Sequence, residues 1–381
     1  MTNQAKNVPE LRFPEFEGEW ENSKLGTVAN VYDGTHQTPK YTSEGIKFLS
    51  VENIKTLNSN KFISKEAFEK EFKIRPEFGD VLMTRIGDVG TPNVVETNEY
   101  LAYYVSLALL KPKKLNSYFL ESLIRSQSVQ NELWRKTLHI AFPKKINKNE
   151  IAKVEINYPE QQEQQKIGEF FSKLDRQIEL EEQKLAKLEE QKKGYMQRIF
   201  SQELRFKDEN GNEYPEWKEK TLMQIAKVKT GTKNVQDNIA NGAYKFFDRS
   251  VEIKYLNTFD FDETAIIYPG EGSKFLPRLF SGKYSLHQRA YSIFDVKVNN
   301  YYLFYYLSLQ NNHFLKYAVG STVKSLRMSG FEKLKVLVPE TAEQEKIGGF
   351  FKQIDNFIDK QSIKIESLKE CKQGLLQKMF I

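Results

Sequence analysis

The chain repeats itself, and no other feature restricts its possible folds as tightly. Pro159-Glu160, Glu163-Gln164, Lys166-Ile167-Gly168, Phe170-Phe171 and Asp175 return as Pro339-Glu340, Glu343-Gln344, Lys346-Ile347-Gly348, Phe350-Phe351 and Asp355. The agreement runs on through Gly194/Gly374, Gln197/Gln377 and Phe200/Phe380, with 18 identities in 42 ungapped positions. A constant offset of 180 residues over such a stretch marks an internal duplication. A fainter echo precedes each copy. Leu11-Arg12-Phe13 recurs as Leu204-Arg205-Phe206, and Trp20, Leu25, Ala29, Val31 and Gly34-Thr35 as Trp217, Leu222, Ala226, Val228 and Gly231-Thr232. Tyr118-Phe119-Leu120 parallels Tyr301-Tyr302-Leu303. The sequence thus divides into a block at 1–158, a repeated segment at 159–200, a second block at 201–338 and the repeat at 339–381. Each block has the size of one ordinary domain.

The repeated segments carry a 4–3 apolar stripe. In the first, the apolar stations include Ile167, Phe171, Leu174, Ile178, Leu185 and Leu188, with polar breaks at Glu181 and Lys192. In the second they include Ile347, Phe351, Ile354, Ile358, Ile365 and Leu368, with breaks at Gln361 and Lys372. This spacing predicts two long helices with coiled-coil seams. Pro159 and Pro339 are expected in the first helical turn, where proline is tolerated. Two matching seams in one molecule can bury each other. An antiparallel pair with a rise of 1.5 Å per residue would form a rod about 50 Å long with a block at each end, related by an approximate twofold. The other use of such a stripe, packing each helix on its own block, stays open at this point.

The blocks read as mixed strands and helices, which gives an α+β class overall. In the first, strands are expected at Ile46–Val51, Asp80–Arg85, Val105–Leu110 and Val154–Tyr158, and helices at Lys65–Phe72 and Ser117–Trp134. In the second, strands are expected at Thr264–Tyr268, Tyr291–Val296 and Lys333–Val338, and a helix at Asn300–Tyr317.

Charge then points to a partner. The net charge is +6, yet Pro159–Phe200 holds 8 basic against 9 acidic side chains and Pro339–Ile381 holds 7 against 7. The positive excess therefore lies in the blocks. Basic and aromatic residues gather at their turns: His36, Lys40, Tyr41, Arg85, His139, Lys144 and Lys145, then Lys233, Lys245, Arg249, Lys274, Arg278, His287, Arg289, Lys324 and Arg327. Loops on a rigid scaffold can present such side chains to phosphates or to guanine edges in the major groove. Any one of them is equally a solvated surface charge; the collective placement favours double-stranded DNA.

Catalytic patterns are missing. No phosphate-binding G-x-x-x-x-G-K-[ST] loop occurs, the four histidines are scattered, and Cys371 is the single cysteine. Asp248 with Glu252 and Lys254 is the nearest approach to a metal-dependent nuclease site. The sequence also lacks a membrane-length apolar run and an apolar leader, so a reducing cytoplasm is expected.

The paired Pro-Glu-x-x-Glu-Gln-x-Lys-Ile motifs at 159–167 and 339–347, each opening a helix that closes on Gly194–Phe200 or Gly374–Phe380, resemble the specificity subunit of type I restriction–modification systems. Gly79-Asp80-Val81-Leu82 before Arg85 looks like that family's recognition domains, while the second block offers only Ala265–Gly272 in its place. The resemblance implies two target recognition domains, each reading half of a bipartite site, with the helices setting the spacer. It implies a non-catalytic chain without cofactor, working with two methylation subunits that bind S-adenosylmethionine and with ATP- and Mg-dependent restriction subunits. A fused relative of such systems, or a coiled-coil scaffold that never meets DNA, are the competing readings.

Overall fold

The computed structural model describes residues 7–250 and 252–381, which divide into two compact units. One comprises Met1–Glu182 with Ile363–Ile381; the other is Gln183–Ser362. Each unit contains one block, the start of one repeated helix and the end of the other.

In the first unit, an antiparallel sheet runs in the order Ala29–Asp33, Leu107–Pro112, Val81–Ile86, Asp88–Val94. Its central strand is buried from Val81 through Arg85, which explains the unbroken apolar run. Side chains alternate between two cores, as a strand requires. Val81, Met83, Ala108 and Leu110 face the helices Ser117–Arg125 and Gln127–Lys136, packing with Phe119, Leu120 and Leu123. Leu82, Leu107 and Leu109 face a smaller sheet of Phe62–Ile63, Ile46–Leu49 and Leu101–Tyr103. In the second unit a six-stranded sheet runs Lys227–Thr230, Tyr291–Phe294, Phe261–Tyr268, Arg278–Leu286, Tyr244–Phe247, Lys254–Leu256. There too Ile266 and Tyr268 serve one core while Ala265 and Ile267 serve another.

Several expected elements are shorter or divided. The helix expected at Ser117–Trp134 breaks at Ser126, whose hydroxyl caps the second piece through Val129 N. That at Asn300–Tyr317 splits into Asn300–Ser308 and Asn311–Tyr317. The strand expected at Ile46–Val51 stops at Leu49, because a 3-10 turn begins at Val51. Asp88–Val94 is a strand directly after Gly87, whose φ of +82° closes the hairpin.

The repeated helices span Gln161–Phe200 and Thr341–Met379. Pro159 and Pro339 thus precede the first turn instead of occupying it. Their carbonyls are put to use: Gln164 Nε2 donates to Pro159 O and Gln344 Nε2 to Pro339 O, each at 2.8 Å. Gln164 Oε1 accepts from Asn116 N at 2.9 Å, and Asn116 in turn caps Ser117–Arg125. Gln344 repeats this with Asn299 N at 2.8 Å. The preceding glutamates are wholly buried. Glu163 takes Arg12 Nε at 2.7 Å and Nη2 at 2.6 Å. Glu343 takes Arg205 Nε at 3.1 Å and Nη2 at 2.7 Å, and also Trp217 Nε1 at 2.9 Å. Gly168 permits the close approach, since a Cβ there would lie 2.7 Å from Asn116 Oδ1 and 2.8 Å from Phe119 N. The repeated motif is therefore a lock between helix and block, built once in each unit.

Within each unit the two helical segments run in opposite directions. In the first, Lys372 pairs with Asp175, Lys364 with Glu181, and Lys369 with Glu182 at 2.5 Å. In the second, Lys192 meets Asp355 at 2.5 Å, and Tyr195 packs edge-on against Phe350. Both lysines that break the stripe thus carry a carboxylate partner. Ile167, Phe171, Ile178, Ile347, Phe351 and Ile365 are buried; Leu174, Leu185, Leu188, Ile354, Ile358 and Leu368 are half-buried. Ile167 and Phe171 also sit in their block's core, with Trp20 and Phe119, beside Phe380. Ile347 and Phe351 do likewise with Tyr302 and Phe200.

Candidate nucleic-acid interface

In the first unit, two loops are tied to one buried arginine. Arg85, which the sequence suggests as a DNA contact, is only 5% exposed. Its guanidinium donates to Asp33 Oδ1 and, through Nε at 2.9 Å, to the Ile146 carbonyl. A base contact does not fit so buried a side chain: Nε and Nη1 each hold a partner inside the protein, joining the end of strand Ala29–Asp33 to the end of the 137–147 loop. Asp33 also draws in His36 Nε2 at 4.0 Å and Lys148 Nζ at 3.8 Å. His36, Lys40 and Tyr41 are exposed on the segment after that strand, and the Tyr41 ring leans on Phe48 with centroids 5.8 Å apart. His139, Lys144 and Lys145 are exposed on the other loop. That loop is pinned at its base by Leu138 N to Lys145 O at 2.7 Å and Gly87 N to Lys144 O at 2.8 Å.

In the second unit the gathering point is Glu271. Its carboxylate accepts from Arg289 and from Ser325 Oγ at 3.2 Å, and lies 3.5 Å from Arg249 Nη1. Burial pushes this carboxyl up, but the Arg289 hydrogen bond and charge, with Ser325 and Arg249, hold it below the ordinary glutamate value. Gly272 pairs with Lys324, and Arg278 Nη2 donates to Ser250 O at 2.6 Å beside Arg249. Lys233 bridges to His287, whose imidazole pKa burial pushes down, and lies 3.5 Å from Asp260. Arg249, Arg278, Arg289 and Lys324 are thus brought together, with Lys233 on the adjoining strand end. Lys245 stands apart, its ammonium 5.0 Å from the Phe280 ring centre, and Lys274 and Arg327 are exposed on neighbouring loops.

Such an arrangement orients cations without consuming them. Arg249 and Arg289 side chains are 65% and 62% exposed, so each keeps most of its five N–H donors toward solvent while one edge is held. Pre-oriented guanidiniums suit bidentate contacts to phosphate or guanine. Asp248, considered with Glu252 and Lys254 as a metal site, is taken up by Lys254 and by Ser250, while Glu252 is exposed. Among the described residues no group of three or more His, Cys, Asp or Glu is placed to hold a metal ion. Nor is any described helix long and apolar enough to cross a membrane. The hubs Asp33 and Glu271 went unnoticed in the sequence, as did Lys148. Nothing local marks either acid, because the partners are distant in the chain.

Known proteins share this architecture. A structure of a type I restriction–modification S subunit from M. genitalium superposes with a TM-score of 0.65 at 14% identity, covering 98% of this chain and 99% of that one. A chain from a structural study of type I R-M complex assembly and conformational transition gives 0.54 at 14% identity, covering 94% and 96%. In sequence, the putative type I restriction enzyme MjaX specificity subunit of Methanocaldococcus jannaschii is 21% identical over 411 aligned residues, 97% of this chain and 95% of that protein. The type I restriction enzyme EcoDI specificity subunit of Escherichia coli is 26% identical over 167 residues, covering 42% of this chain and 37% of the relative. The type I restriction modification DNA specificity domain matches twice, at residues 17–190 and 214–370. Two copies spanning most of the sequence place the chain in the family of type I restriction modification DNA specificity domains.

Proposed function

We propose that this chain is the DNA-reading specificity subunit of a type I restriction–modification complex. Its blocks at 1–158 and 201–338 act as target recognition domains, each addressing one half of a bipartite target. The repeated segments at 159–200 and 339–381 form the coiled-coil spacer that sets the gap and docks two methylation subunits. The chain itself does no chemistry. S-adenosylmethionine belongs to the methylation partners, and ATP and Mg to restriction subunits, all in the cytoplasm.

One observation carries this reading: the same helix lock, Arg12–Glu163 and Arg205–Glu343, holds two blocks whose cation-bearing loops differ. Equal mounts with unequal loops are what two different half-sites require. Phosphates supply most of the affinity and the loops the choice of bases. The test is duplex binding by the chain with its methylation subunits as salt is raised. Phosphate-driven binding falls steeply between about 50 and 200 mM salt, by 10³-fold or more for six phosphate contacts. A flat salt response, or no duplex affinity, would leave only the scaffold role.

A further inference from the structure

The first unit exposes large apolar side chains where a folded chain gains nothing from them. Ile140 is 99% exposed and Phe142 104%, and the flanking Trp134 is 65% exposed. Trp134 lies in the last turn of helix Gln127–Lys136, and Ile140 and Phe142 in the loop that follows it. The loop's base is firmly held by the Leu138–Lys145 bridge, by Gly87 N to Lys144 O and by Arg85 on the Ile146 carbonyl. His139 Nε2 lies 2.8 Å from Trp134 O, and the two rings pack with centroids 4.6 Å apart. The tip is therefore a bare apolar point on a fixed stalk.

Its surroundings identify the occupant. From Arg135 through Lys148 the sequence holds five basic residues and no acidic one; Arg135 and Lys136 pair with Glu132, and Lys148 lies 3.8 Å from Asp33. Lys144 and Lys145, next to the tip, form no ion pair among the described residues. A cationic collar around an apolar point matches a nucleic-acid duplex, whose charged backbone surrounds stacked, apolar base faces. Proteins that kink duplexes insert Phe, Ile, Leu, Met or Pro side chains between base steps in this way.

Resting on the reading of the chain as a DNA-recognition subunit, we propose that the 138–145 loop is an intercalating finger. It wedges Phe142, with Ile140 beside it, into a base step of the half-site addressed by the first unit. The second unit has the corresponding bridged loop, Val319 to Ser325, but its exposed apolar residues are only Val319 and Val323, at 45% and 50%. It carries no aromatic tip. Unstacking is accordingly confined to one half of the target.

The experiment uses the full chain in complex with its methylation subunits. The probes are duplexes bearing the host's methylated motif, with 2-aminopurine at successive positions of each half. Wild-type complex raises fluorescence severalfold at one step of one half-site only. Phe142→Ala returns that signal to the free-duplex level and weakens binding about tenfold, the scale of one lost aromatic–base stack. Lys144→Ala with Lys145→Ala weakens binding and flattens its salt dependence while unstacking persists at saturation. All three substituted side chains are exposed, so folding is spared. Tight duplex binding without any fluorescence rise, or undiminished binding by Phe142→Ala, overturns the finger and leaves the DNA-reading role intact. So does loss of methylation-subunit association in Phe142→Ala with unstacking unchanged, which assigns the loop to protein docking. Failure of the wild-type complex to bind duplex removes the DNA-reading role and the finger with it.

Discussion

Removing Glu343 should cost more than removing Glu163, although the two occupy equivalent places in the repeat. Both are wholly buried and both hold an arginine through two hydrogen bonds. The residual partners differ. Without Glu163, Arg12 keeps the Gly18 carbonyl at 2.6 Å and the Glu17 carbonyl at 3.0 Å. Without Glu343, Arg205 keeps Pro215 O at 2.8 Å, and Trp217 Nε1 loses its acceptor. The matching indole nitrogen, Trp20 Nε1, is already buried without a partner among the described residues. Breaking a buried ion pair from one side costs about 3–5 kcal/mol. Stranding an indole N–H adds roughly 1–3 kcal/mol. Glu163→Ala is therefore expected near 3 kcal/mol and Glu343→Ala roughly 1–2 kcal/mol higher. Replacing both partners, Arg12→Met with Glu163→Met, should cost less than Glu163→Ala alone, because no charge is left buried. A chain of two units has no single unfolding free energy, so the assay is native-state hydrogen exchange resolved by peptide. Strands Glu155–Tyr158 and Lys335–Val338 report the two units separately. Equal losses, or losses under about 1 kcal/mol in both, would refute the lock as described.

The helix glycines separate packing from propensity. Gly168→Ala should destabilise the first unit by about 1–3 kcal/mol through its clash with Asn116 and the Phe119 backbone, whereas Gly194→Ala meets nothing within 4 Å and should stabilise its helix by about 0.5–1 kcal/mol. Thermal and exchange measurements on the two variants should move in opposite directions. The Glu271 cluster gives a pH dependence. Its folded pKa lies below the unfolded value, so its stabilisation is fully present above about pH 4.3 and is lost as pH falls through the folded pKa. Exchange in the second unit should show that acid loss, and Glu271→Gln should reduce it, with the remainder coming from carboxylates such as Asp248, which burial pushes up but Lys254 and Ser250 hold low. Deleting one heptad from each repeated helix should shorten the unread spacer of the methylated motif, and an unchanged spacer would contradict the proposed ruler.

Much of this was legible where residues signal their role locally. The duplication, the long helices and the central strand Val81–Ile86 follow from identity at fixed offset, a 4–3 stripe and a continuous apolar run. Arg278–Leu286 was not, because Ser281-Gly282-Lys283 interrupts its pattern; pairing on both sides, with Phe261–Tyr268 and Tyr244–Phe247, supplies what its sequence lacks. At the candidate interface, Arg85 looked like a turn cation. Its partner Asp33 lies 52 residues earlier, and only the fold reveals that pairing. Nothing in the sequence marks Phe142 and Ile140, since apolar side chains are ordinarily buried and only the fold leaves these two bare.

The most direct measurement is methylome sequencing of the host with and without this chain. Loss of a single bipartite, asymmetric adenine-methylation motif on deletion, with only one half of that motif altered when residues 201–338 are exchanged for those of a relative, is the predicted result. An unchanged methylome, or both halves changing together, would contradict the assignment of one half-site to each block.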